Sequence, residues 1–202
     1  MKRLPLVALA LALPSCGLPA GCSGFDDTQI AVSCGDFDAF GNVSAVFEKR
    51  CGTIDCHGSM ARPLRIYGRQ GLRKPIDFNA AKTGDPIQAK LAAEVDAGAD
   101  QYYPGGDQAT TPSELFENYR AVCGLEPELT TLVSQGREQP EVLTVIRKMR
   151  LNEKHKGGKI FSKGDPGDKC ITVWLTTPKP APTADAGAKF DPADCNVELS
   201  HN

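Results

Sequence analysis

Two of the eight cysteines in this 202-residue chain, Cys51 and Cys56, constrain it more than any other feature, because a histidine follows the second at once. The run Cys51-Gly-Thr-Ile-Asp-Cys56-His57 puts two thiols and an imidazole on one short turn. Those are the ingredients of a c-type haem attachment site. Two cysteine sulfurs add to the haem vinyl groups as thioethers, and the histidine after the second cysteine becomes the proximal iron ligand. Four residues separate the cysteines here, where the usual spacing has two. A longer loop can bulge outward while its ends still reach both vinyls. The same residues also allow a tight Cys51–Cys56 disulfide with His57 at the surface. Zinc would want four Cys or His ligands, usually as two close pairs, and the sequence offers no second pair.

The chain opens with Met-Lys-Arg and an apolar run to about residue 15, a basic n-region and an h-region too short to span a bilayer. This reads as an export signal. Cys16 follows Leu-Pro-Ser and Cys22 follows Pro-Ala-Gly, and either suits the lipid-modified first residue of a bacterial lipoprotein. Leu13 at the third position before Cys16 favours that cysteine; Ala20-Gly21 favour Cys22 as the alternative. Such a lipid would tether the mature chain, since no other segment is apolar enough to span.

Cysteine usage fits an oxidising compartment, periplasmic or at the cell surface. Besides the motif pair, Cys34, Cys123, Cys170 and Cys195 are the disulfide candidates. A hydrophobic content of 41% can bury a core, while 20 Gly and 15 Pro make much of the chain loop. The formal charge of −2 argues against nucleic acid as a partner.

Along the chain, residues 1–22 read as signal and anchor, 23–42 as a tether, 43–176 as the domain, and 177–202 as a Pro/Ala-rich tail. A helix opening at Asn42-Val43-Ser44 carries Val43, Val46, Phe47 and Arg50 at helical spacing and delivers the chain into Cys51. Leu64, Ile66 and Leu72 supply apolar anchors beyond His57. Residues 78–139 look like inserted helices. One follows the Asp85-Pro86 cap to about Asp96, and one follows the capping box Thr111-Pro-Ser-Glu114 to Gly124. Pro140-Glu141 opens a helix to Arg150, with Val142, Val145, Ile146 and Met149 on one face. Asp165 or Asp168 caps a last helix bearing Ile171, Trp174 and Leu175. Cys195 pins the tail back to the body, because an unpaired exposed thiol would be reactive.

The segments "FEKRCGTIDCHGS" and "HKGGKIFSKGDPGDKCITVWL" resemble the cytochrome c domain of exported bacterial lipoproteins, such as those of myxobacteria and planctomycetes. The likeness covers residues 43 to about 66 and 142 to 176. It implies thioethers at Cys51 and Cys56, proximal ligation by His57, and packing of the Trp174 helix against the helix holding Phe47. No Met-Pro pair supplies that family's familiar distal ligand. His155, on a Gly-flanked turn, is the first candidate for the sixth position, and Met149, on an apolar helix face, is the alternative. Met60 is too near His57 to reach the opposite face, and His201 is two residues from the end of the sequence given.

Arg147, Lys148, Arg150, Lys154, Lys156, Lys159 and Lys163 make a local basic face, either plain solvated surface or a means of neutralising haem propionates and steering an acidic redox partner. The sequence therefore implies an all-α, cytochrome c-like helical domain with a helical insertion and long loops, on a lipid-anchored exported chain. One covalent haem c and electron transfer are the expected chemistry, in a carrier rather than an enzyme. The alternative is a haem-free, disulfide-stapled structural or binding lipoprotein.

Overall fold

In the computed structural model the described residues are 31–76, 103–104, 106–177 and 190–200, with isolated positions between 82 and 93. Cys16, Cys22 and His201 lie outside them, and so does most of the helix expected from Asp85. Contacts divide the chain into Met1–Ala31 and Val32–Asn202, and the helices below all belong to the second unit. Among the described residues the fold is all-α, with isolated bridges such as Thr53 to Gly71 and Tyr67 to Leu72 in place of strands. No helix among them is long and apolar enough to cross a membrane.

Helix α1, Phe40–Arg50, forms because Phe40, Val43, Val46 and Phe47 recur on one face, and all four are fully buried. Lys49 and Arg50 end it favourably for the helix dipole. The helix begins before the expected Asn42-Val43-Ser44 start because Phe40 is needed in the core, 4.9 Å from the Trp174 ring centre. Helix α2, Pro112–Cys123, starts as expected. Thr111 Oγ1 accepts from the Glu114 amide at 3.2 Å, and the Glu114 carboxylate accepts from the Thr111 amide at 2.9 Å.

Helix α3, Pro127–Ser134, lies within residues 78–139, where inserted helices are expected, and Pro127 at its first turn is the local signal for its start. The helix expected from Pro140 to Arg150 is broken. A 3-10 turn covers Pro140–Val142, Leu143 is extended and buried, and helix α4 occupies only Thr144–Met149. Glu126 imposes the restart, accepting from the Thr144 amide at 2.6 Å and the Thr144 hydroxyl at 2.9 Å.

Helix α5, Pro166–Leu175, carries Cys170, Ile171, Trp174 and Leu175 into the core. It packs on α1, as the resemblance implied, with Phe40 as the ring partner of Trp174. Asp165 occupies its N-cap position. Asp168 is no cap: its carboxylate pairs with Arg150, whose side chain is only 5% exposed. Arg150 therefore leaves the basic face assigned to it, drawn inward by Asp168 and Glu141.

Two boundaries move. Residues 32–39 belong to the body, not to a tether. Cys34 is bonded to Cys123, Trp174 Nε1 donates to the Asp36 carbonyl at 2.8 Å, and a Cβ on Gly35 would lie 2.4 Å from the Trp174 ring. The tail also ends in structure. Helix α6, Ala193–Ser200, packs on α5 and α1, with Cys195 fully buried and bonded to Cys170. Lys49 Nζ donates to the Leu199 carbonyl at 3.0 Å, satisfying a helix end that has no intrahelical partner. All four disulfide candidates are thus paired, as two bonds.

Candidate functional site

The end of α1 fixes Cys51, whose amide donates to the Phe47 carbonyl at 2.8 Å. Its thiol is buried, and that burial pushes its pKa up to about 12, so it stays protonated. The chain then folds back on itself. The Cys56 and Gly58 amides both donate to the Thr53 carbonyl at 2.9 Å, and the His57 amide donates to the Cys51 carbonyl at 2.8 Å. The two ends of the loop are tied together while Thr53, Ile54 and Asp55 are pushed into solvent, so the long spacing does bulge outward. Glycine is required at two points of the crossing. A Cβ on Gly58 or on Gly71 would lie 2.1 or 2.0 Å from the Gly52 carbonyl oxygen. Cys51 and Cys56 form no disulfide and are the free cysteines of the described residues.

His57 Nδ1 donates to the Leu64 carbonyl at 2.9 Å, since a carbonyl can only accept. That bond fixes the tautomer and leaves Nε2 with an unprotonated lone pair. Burial lowers the pKa of His57, with His155 and Arg62 acting in the same sense against the bond to Leu64, which favours the neutral ring.

His155 comes from a loop that α4 and α5 close between them. The Met149 carbonyl accepts from the Ile160 amide at 2.9 Å and the Phe161 amide at 3.2 Å, forming a neck for residues 150–159. Gly158, at φ +74°, turns the chain so that its carbonyl accepts from His155 Nδ1 at 3.0 Å. His155 thus matches His57: each ring is anchored through Nδ1 to a backbone carbonyl. The two rings lie with centres 6.2 Å apart and planes 22° from parallel.

Two cavities meet at this pair. One, of about 440 Å³, opens between Cys51, Cys56, His57 and His155 and is rimmed by Arg50, Arg62, Lys148, Lys154 and Lys156. The other, of about 230 Å³, is apolar, with Phe47, Leu64, Val145 and Met149 in its wall beside His57 and His155. The arrangement suits a flat, largely apolar ligand with an anionic edge, met by an imidazole nitrogen from each side.

The structure thus brings Cys51, Cys56, His57, His155 and Met149 to one cleft, and leaves Met60 exposed. Of the basic residues, Lys148, Lys154 and Lys156 reach the cleft rim. Lys163 pairs with Glu141, and Arg147 with Glu153. Arg50 and Arg62 were missed as rim residues. Arg50 directly precedes the first motif cysteine, and Arg62 Nε donates to the Cys56 carbonyl at 3.2 Å. Among the described residues no three His, Cys, Asp or Glu side chains are arranged to hold a metal ion by themselves. No protein family, curated protein or solved structure matches this chain.

Proposed function

We propose that this protein is a c-type haem electron carrier with a cytochrome c-like domain. Cys51 and Cys56 form the thioethers, His57 and His155 hold the iron, and a lipid on Cys16, or on Cys22, tethers the chain to an exported membrane surface. The observation that carries the reading is the pairing of His57 and His155 across a cleft walled by two unpaired cysteines, each imidazole anchored at Nδ1 and open at Nε2. When bound, haem supplies reversible one-electron chemistry.

The chain's own residues perform three tasks around it. Leu64 and Gly158 carbonyls hold the two imidazoles in the ligating tautomer. Phe47, Leu64, Val145 and Met149 keep water from the inner wall, which is the condition for a defined potential. Arg62, Lys154 and Lys156, with Asp55 among them and with Arg50 and Lys148 paired to Glu198 and Glu153, give the mouth a net positive rim that favours carboxylates and an acidic redox partner. The two disulfides in Val32–Asn202 fit an oxidising address for this work.

The test is a pyridine haemochrome spectrum of protein made in an export host with c-type maturation, beside a Cys51→Ala/Cys56→Ala variant. Haem that resists acid-acetone extraction in the wild type and is lost in the variant is the expected result. Colourless protein with a Cys51–Cys56 disulfide by mass spectrometry would leave a stapled structural or binding lipoprotein instead.

A further inference from the structure

Met149 and His155 line the same apolar cavity beside His57, yet they are held in opposite ways. Met149 is fixed. Its side chain is 3% exposed, it ends α4, and its carbonyl is bonded to both Ile160 and Phe161 whatever the intervening loop does.

His155 sits on a segment with little to restrain it. Among the described residues, the bonds holding 152–159 run only to Arg147 and Lys148 or within the segment. Glu153 pairs with Arg147 at 3.1 Å and with Lys148 at 2.8 Å, Lys148 Nζ donates to the Lys154 carbonyl, and His155 and Gly158 bond each other. The Arg147, Lys148 and Glu153 side chains are each more than a third exposed, so water competes for them and salt weakens them. On the inner side of Leu151, at φ +59°, the chain is pinned by Arg150 to Asp168 and Glu141. The Asn152 and Glu153 amides stay bonded to the Arg147 carbonyl at 2.8 and 3.3 Å, and residues 154–159 beyond them can lift as a unit without disturbing Met149.

We infer that Met149 is a reserve iron ligand, taking the position opposite His57 when the loop carrying His155 opens. The inference rests on the haem reading above. The exchange breaks one bond from a neutral imidazole nitrogen and makes one from a neutral thioether sulfur, so it needs no proton, oxidant or reductant. Its consequence is a carrier with two potentials, the Met/His form being the higher.

The experiment uses the full haem-loaded chain and three variants, His155→Ala, Met149→Leu and the double change; Met to Leu conserves volume well enough to keep the core. Haem content by pyridine haemochrome comes first, and a wild type without covalent haem overturns the parent reading itself. With haem present, the wild type is expected to lack the near-infrared methionine-to-ferric-iron band at low salt. His155→Ala should show that band and a raised potential. The double variant should lose the band and bind added imidazole at least tenfold more tightly than His155→Ala. A His155→Ala protein that keeps its haem but shows no methionine band, with a spectrum indifferent to Met149→Leu, overturns the inference.

Discussion

Arg150 and Asp168 meet through two bonds, Nε to Oδ1 at 2.6 Å and Nη2 to Oδ2 at 3.0 Å, with 5% and 2% of their side chains exposed. This pair joins the end of α4, where the His155 loop begins, to the first turn of α5. Asp168→Ala leaves Arg150 with Glu141 as its remaining carboxylate partner, so the loss should fall near the lower end of the about 3–5 kcal/mol of a broken buried pair. An Arg150→Met/Asp168→Leu double change should recover much of that loss. Urea unfolding of the three variants measures both outcomes.

Glu48 should give the protein a stability that declines with pH. Burial raises its pKa above the ordinary 4.5, outweighing the hydrogen bonds from Thr110 and Ser44. The folded state then holds its proton more tightly than the unfolded state does. Its contribution is full below pH 4.5 and is lost as pH rises through the folded pKa. Thermal midpoints of wild type and Glu48→Gln, compared from pH 4 to 8, should show the variant gaining on the wild type as pH rises.

The two disulfides should differ in worth. Cys34–Cys123 closes 89 residues and Cys170–Cys195 closes 25. Chain entropy gives about 4.6 kcal/mol for the first and about 3.5 for the second. Cys34→Ala/Cys123→Ala should therefore lower the denaturant midpoint further than Cys170→Ala/Cys195→Ala, and only the latter should free α6 to limited proteolysis at its N-terminal side.

Gly58→Ala should distort the motif loop, since its Cβ would meet the Gly52 carbonyl at 2.1 Å. A loss of about 1–3 kcal/mol is expected. Gly157→Ala is the milder partner, placing a Cβ 3.2 Å from His155 Cε1, where an exposed loop can give way. Chemical unfolding separates the two, and under the haem reading Gly58→Ala should also lower covalent haem yield.

How far the sequence carried can be judged from particular elements. The capping box at Thr111 and Glu114 marked α2 because its signal is local: two side chains and two amides within one turn. The apolar spacing of Val43, Val46 and Phe47 marked α1 for the same reason. The break at Leu143 was invisible, because the carboxylate that restarts the helix comes from Glu126, in another segment. The extent of the body was misjudged at both ends for a similar reason. Gly35 and Asp36 are recruited by Trp174, and α6 by Cys170, Lys49 and Arg50, partners far away in the chain. At the site, the residue types of the motif were legible, and so was the candidacy of His155. What sequence could not give was the pairing itself, since the 6.2 Å approach of two rings 98 positions apart depends on the neck at Met149.

The Cys34–Cys123 bond makes residues 35–122 a covalently closed ring. A single peptide-bond cut anywhere in that ring leaves one molecule, which parts into two fragments only under reducing electrophoresis. Cys51, Cys56 and His57 lie inside it and His155 outside, so one cut anywhere in the ring still leaves both histidines on the same particle.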